Sequence, residues 1–241
     1  MSKIFLTSDL GCSIKVDGVR ISQEMNNFNG VVDQIKNALG NTKKIVFIVS
    51  SPTNYEGNDN YARLTFESFR KSEIVFEKEL IIDDRFQGNL MEIKNADLVF
   101  LAGGNVAVQM SYFEKIGLKE ILEDFKGVII GQSAGAMNLA HEVLCPPEYE
   151  DQIGENYKWN GLGKTSISVE PHFVLDVCDE IDVRLRNELL NISEYRPLYA
   201  ICDGSYILVD DKLSTLYGEA YLVEKGVITK ICENGTSKII S

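Results

Sequence analysis

Gly127-Val128-Ile129-Ile130-Gly131-Gln132-Ser133-Ala134-Gly135-Ala136-Met137-Asn138-Leu139-Ala140 is the stretch that decides how this chain folds. Val128 to Ile130 is a β-branched run that reads as a buried strand. Gly131 ends it, and the small residues Ala134, Gly135 and Ala136 open an Ala/Met/Leu stretch that reads as a helix. Ser133 falls between the two. This is the strand–turn–helix setting of a Gly-x-Ser-x-Gly nucleophile elbow, in which glycines permit a sharp turn that lifts the hydroxyl clear of the backbone, beside the amides of a helix N-terminus. The chemistry it points to is attack on a carbonyl. The plainer reading is that small residues merely let the helix pack close to the strand.

Working outward, the first half of the chain alternates strand-like and helix-like segments. Ile4–Leu6 and Lys44–Val49 read as strands around a helix at Gln23–Leu39. Tyr61–Lys71 reads as the next helix, followed by strands near Ile74–Phe76 and at Leu98–Ala102 and a helix near Val106–Glu123. Such alternation predicts an α/β fold: a mostly parallel sheet flanked by helices, with ligands outside the C-terminal ends of the strands, where Ser133 lies. Cys145–Gly163 has no sustained periodicity and reads as a long loop. Short strands at Tyr199–Cys202, Tyr206–Val209, Ala220–Glu224 and Val227–Ile231, with turns at Asp203-Gly204, Asp210-Asp211 and Lys225-Gly226, predict C-terminal β-hairpins.

The 241 residues fit a single α/β domain spanning 1–241, with no composition shift to mark a second. No apolar run reaches the roughly 18 residues of a membrane span, and the N-terminus lacks a secretory signal, so no membrane is expected and the cytoplasm is. The five cysteines are scattered, odd in number and without C-x-x-C spacing, which favours neither disulfides nor a metal site. A net charge of −12 without a basic stripe argues against nucleic acid as a partner.

A serine hydroxyl needs a base within hydrogen-bond reach. Only His141 and His172 are available. His141 lies eight residues beyond Ser133 on the same expected helix, about 12 Å along its axis. His172, in Glu170-Pro171-His172-Phe173 after the strand-like Ile167–Val169, is the better candidate. Leu101-Ala102-Gly103-Gly104-Asn105 places a glycine pair after a buried strand, where a peptide N–H can approach a substrate oxygen. The amide of Ala134 is the expected second donor. Taken alone, the glycine pair also reads as a turn capping the next helix.

Ala102-Gly103-Gly104-Asn105, Gly131-Gln132-Ser133-Ala134-Gly135-Ala136 and Pro171-His172-Phe173, in this order and spacing, resemble the serine peptidase family of peptidase E (aspartyl dipeptidase) and cyanophycinase. The likeness covers most of the chain. It implies a class I glutamine-amidotransferase-like (flavodoxin-like) α/β fold with serine in place of the amidotransferase cysteine, Ser133 as nucleophile, His172 as base and Gly104 as an oxyanion donor. In peptidase E the acid is a glutamate in a turn some thirty residues after the histidine, and the matching stretch here, Ile201-Cys202-Asp203-Gly204-Ser205, assigns Asp203. Glu148, Glu150 and Asp151 are rival acids in the long loop, with Glu148 the first alternative.

The aspartyl dipeptidases carry an arginine about a dozen residues after the histidine, and an ungapped reading places Asp182 there. Arg184 and Arg186 lie close but out of register; with Asn105 they are candidate substrate-binding residues, beside the plainer reading of the two arginines as a solvated helix face. The expected function is a serine hydrolase that cleaves small peptides through an acyl-enzyme, without metal or organic cofactor, as a monomer or homodimer. The alternatives are a non-catalytic amidotransferase-like binding module and an esterase or transacylase using the same site.

Overall fold

The β-branched runs form the centre of an eight-stranded sheet in the computed structural model, which describes residues 2–40, 44–147, 158–177, 179–211 and 213–240. In spatial order the strands are Ser237–Ile239, Leu213–Tyr217, Tyr206–Asp210, Lys3–Thr7, Val128–Gln132, Leu98–Leu101, Lys44–Ile48 and Lys78–Ile82. The last five run parallel to one another, and the first three add to Lys3–Thr7 as antiparallel strands. Phe5, Ile45 to Ile48, Leu98 to Leu101 and Ile129 to Ile130 are fully buried, the signature of a sheet flanked by helices on its faces.

A smaller sheet, Val169–Glu170, Leu198–Ile201, Ala220–Glu224 and Val227–Cys232, stands beside it. The expected C-terminal hairpins are divided between the two sheets. Tyr206–Asp210 and Leu213–Tyr217 extend the large sheet, while Ala220–Glu224 and Val227–Cys232 join through Lys225 (φ 52°) and Gly226 (φ 71°), a left-handed pair suited to a tight hairpin turn.

Several elements differ from the sequence expectation, each for a local reason. Gln23–Leu39 is helical only over Val31–Leu39, because side chains capture the preceding backbone: Asn26 Oδ1 accepts from Phe28 N–H at 3.0 Å and Asn27 Oδ1 from Val32 N–H at 2.8 Å. Ile74–Phe76 alternates in burial like a strand but lies outside the strands of the sheet; Phe76 packs edge-on to Phe69, and the strand begins at Lys78. The Val106–Glu123 segment is two helices, Val106–Lys115 and Leu118–Leu122, broken at Gly117 (φ 64°). The helix after Ser133 ends at Asn138, so His141 is not on it. A hairpin, Ser13–Val16 with Val19–Ser22, was absent from the expectation; Asp17-Gly18, both left-handed, is its sequence signal. In the long loop, Lys158–Asn160 pairs with Glu142–Leu144.

Candidate active site

The elbow is held by contacts that only glycine allows. A Cβ on Gly131 would lie 2.6 Å from the backbone of Gly135, and one on Gly135 would lie 2.3 Å from the Leu101 carbonyl oxygen. The close packing of helix on strand is therefore real, and it is also what shapes the turn. Ser133 adopts φ 52°, ψ −114°, a conformation that costs a non-glycine residue about 1–3 kcal/mol, and its N–H is anchored on the Thr7 carbonyl at 2.9 Å. Its Oγ caps no helix amide and is left to other partners.

Those partners come from the small sheet. Val169–Glu170 runs parallel to Leu198–Ile201, with Glu170 opposite Ala200, so Pro171-His172 and Cys202-Asp203 leave the same end side by side. His172 Nε2 lies 2.9 Å from Ser133 Oγ, and His172 Nδ1 lies 2.7 Å from Asp203 Oδ1. With the ring proton on Nδ1, facing the carboxylate, Nε2 is the acceptor for the serine hydroxyl. The hydrogen bond from His172 holds Asp203 below the ordinary carboxylate range, against partial burial, and Ser8 adds to the effect. The same bond raises His172 above its ordinary value, against desolvation. Both side chains remain open to solvent, at 49% and 61% exposure, so the pair is screened.

The glycine pair divides its tasks. The Gly103 N–H donates to the Tyr61 hydroxyl at 3.2 Å and is occupied. The Gly103 carbonyl accepts from Ser50 Oγ at 2.7 Å; since C=O and N–H of a trans peptide point opposite ways, this bond turns the Gly104 N–H away from Ser50. Gly104 has φ 143°, and a Cβ there would sit 2.2 Å from Ser50 Oγ. Ala134 begins the short helix after Ser133, where the first amides lack intrahelical partners.

Two cavities meet at Gly104, Ser133 and His172. One of about 410 Å³ is walled by Asp9, Gln132, Tyr61 and the inner face of the Ser13–Ser22 hairpin through Ser13 and Arg20; the other, of about 580 Å³, by Asn105, Met137, Cys145, Pro146 and Glu170. Asp9 Oδ1 accepts from Gly11 N–H and from Gln132 Nε2, while Gln132 Oε1 is buried without a partner among the described residues. Cys12 also lines the first cavity, but burial pushes its thiol up to about 12, so it is no competing nucleophile near neutrality.

The remaining candidates lie elsewhere. Asn105 lines the larger cavity, yet its side-chain oxygen caps the Val106–Lys115 helix through Val108 N–H at 2.9 Å. Arg186, on the helix Glu180–Ser193, stacks over Phe173, 4.2 Å from the ring centroid, and donates to the Val174 carbonyl; Arg184 is exposed on the same helix, and neither lines a cavity at Ser133. Asp182 is exposed in the first turn of that helix. His141 is exposed, its N–H bonded to Thr165. Glu148, Glu150 and Asp151 lie outside the described residues. Sequence reading passed over Ser8, Asp9 and Ser50; each lies within two residues of the end of a parallel strand, close to the strand-end position that singled out Ser133. Among the described residues there is no cluster of His, Cys, Asp or Glu fit for a metal, and no helix is long and apolar enough to cross a membrane.

The model of peptidase family S51 matches residues 19–216. Among solved structures, the fold is similar to that of a peptidase from an acI-B1 Actinobacterium, with a TM-score of 0.69 and 14% identity over 100% of this chain and 97% of that one. It is also similar to a protein from Listeria monocytogenes EGD-e named as a peptidase E, with a TM-score of 0.55 and 17% identity over 96% of this chain and 100% of that one. No curated protein matches the sequence.

Proposed function

Because the chain belongs to peptidase family S51 and is a serine-type peptidase acting on small peptides, we propose that Ser133 is its nucleophile, His172 its general base and Asp203 the acid that orients His172. The observation that carries this reading is the unbroken series from Ser133 Oγ through His172 to Asp203, at 2.9 and 2.7 Å. His172 takes the hydroxyl proton as Ser133 adds to the peptide carbonyl. Asp203 stabilises the imidazolium that forms, and the N–H groups of Gly104 and Ala134 receive the oxyanion. His172 then gives its proton to the leaving amine. Water, deprotonated by the same histidine, releases the acyl group from Ser133. Each oxyanion donor is worth about 2.7–4 kcal/mol in reactions of this kind.

The two cavities flanking Ser133 and His172 suit the acyl and leaving sides of a short peptide. We read residues 1–241 as one domain. The thiols of Cys12, Cys202 and Cys232, which form no disulfide, fit a reducing compartment such as the cytoplasm. The test is a library of dipeptides and tripeptides incubated with the purified protein and with Ser133→Ala. Hydrolysis by the first and not the second supports the assignment; hydrolysis that survives in Ser133→Ala refutes it.

A further inference from the structure

Thr7-Ser8-Asp9 closes the first strand, and that strand is paired on both sides with elements of the site. On one side Thr7 faces Gln132, just before the nucleophile. On the other it faces Tyr206, just after the turn that carries Asp203. Ser8 therefore emerges between the elbow and the acid, fully buried. Its hydroxyl makes two short bonds: it donates to Asp203 Oδ1 at 2.7 Å and accepts the His172 backbone N–H at 2.7 Å. The imidazole Nδ1 is 3.5 Å away.

We propose that Ser8 is a positioning residue of the Ser133–His172–Asp203 site: its hydroxyl sets the separation between the His172 backbone and the Asp203 carboxylate, so that the ring presents Nε2 to Ser133. The proposal rests on the function assigned above and adds to it a fourth side chain. Two features show why such a clamp is needed. His172 sits at φ 55°, a left-handed conformation that a side-chain-bearing residue keeps only where its surroundings over-determine it. The Ser8 bond and the Phe173 N–H bond to the Ile201 carbonyl at 3.2 Å, on successive amides, supply that constraint. Asp203 is largely exposed, and its Oδ1 receives both the Ser8 hydroxyl and the His172 ring. Without Ser8 the carboxylate keeps only the His172 ring and the Asp9 backbone N–H as partners, and the His172 N–H loses its acceptor. Ser8 touches no reacting atom; it acts through His172 and Asp203.

The experiment follows the second-order rate of inactivation by a fluorophosphonate across pH in wild type, Ser8→Ala and Ser8→Cys, whose thiol is a weak donor. Labelling reads the activation of Ser133 without knowledge of the natural substrate. The expected result is a rate lower by about ten- to a hundredfold in both variants at neutral pH, with an acid limb displaced toward the ordinary histidine value as the His172–Asp203 contact loosens. A loss of packing alone would lower the melting temperature without moving that limb. Wild-type rate and an unmoved limb in folded Ser8→Ala or Ser8→Cys would overturn the clamp. Should wild type not label at all, the assigned function fails, and the clamp is read instead from the downfield proton resonance of the His172 Nδ1–H. The clamp requires that resonance to broaden or shift upfield in the variants, and an unchanged resonance refutes it.

Discussion

Asp203 accepts the Nδ1 proton of His172 at 2.7 Å across 31 positions of sequence, and one strand register is responsible. Glu170 opposite Ala200 aligns two chain segments that leave the small sheet together. The Asp203-Gly204 turn, with Gly204 at φ 81°, then carries the chain into the large sheet beside the first strand, where the Gly204 N–H bonds the Asp9 carbonyl at 3.0 Å. Asp203 is thus fixed at the seam between the two sheets. An aspartate reaches the imidazole because the backbone of both segments supplies the approach.

Asp203→Asn is expected to lower kcat by about 10²–10⁴, since an amide favours the wrong imidazole tautomer and cannot stabilise the imidazolium. In a His172→Ala background the same substitution is expected to cost almost nothing, because the acid acts only through the histidine. A full additional loss in the double variant, measured on any cleaved dipeptide, would separate Asp203 from His172.

Gly104→Ala is expected to reduce kcat by about a hundredfold or more with a small change in KM. The new methyl would meet Ser50 Oγ at 2.2 Å in a backbone conformation that alanine rarely adopts, so the N–H must turn from its present direction. Ser50→Ala, which frees the Gly103 carbonyl without a clash, is expected to lose less. Steady-state kinetics of both variants check this order.

The pH dependence follows from the two shifts. The proposed mechanism requires neutral His172, whose pKa stands above its ordinary 6.5, so kcat/KM is expected to rise through a midpoint above that value and to fall on acidification. Stability runs differently. The share from His172 is complete below 6.5 and fades as pH rises through the raised folded value, while the share from Asp203 is complete above 3.8 and fades as pH falls through the lowered one. Maximum activity is therefore expected on the alkaline side of the range in which the pair best supports the fold. Thermal melts and rates over pH 4–10 in common buffers compare the two curves.

Substrate preference is expected to depend on Arg20 rather than on the arginines that follow His172. Arg20 lines the smaller of the two cavities beside Ser133 together with Asp9, whose opposite charge offsets it, while Arg184 and Arg186 line neither cavity. The ratio of kcat/KM for N-terminal Asp over Ala in otherwise identical dipeptides is expected to stay within about tenfold. Arg20→Ala lowers that ratio and Arg184→Ala leaves it unchanged. A large preference for Asp that survives Arg20→Ala would place the specificity contact elsewhere.

Much of this candidate site was legible because strand ends advertise themselves: the apolar runs Val128–Ile130 and Leu98–Leu101 precede Ser133 and Gly104, and the strand-like Ile167–Val169, observed as Val169–Glu170, precedes His172. Asp203 was reached only through the family resemblance, which places an acid in a turn some thirty residues after the histidine; by itself Asp203-Gly204 reads as a turn dipeptide. Ser8 and Ser50 escaped notice because a lone serine after a strand has no pattern; its meaning arises only when pairing between distant segments brings a carboxylate or a carbonyl to it. The Ser13–Ser22 hairpin was missed although Asp17-Gly18 signalled it, since alternating Ile14, Val16, Val19 and Ile21 are exposed and form no part of the core. Side-chain capture by Asn26 and Asn27 shortened a helix that apolar spacing extended.

The central claim, that Ser133 is a nucleophile made reactive by His172, is tested most directly by mass mapping of a fluorophosphonate adduct. The account predicts one adduct per chain, located on the peptide containing Ser133, absent in Ser133→Ala and slowed by orders of magnitude in folded His172→Ala. An adduct on another residue, or labelling of Ser133 at an undiminished rate in His172→Ala, would contradict it.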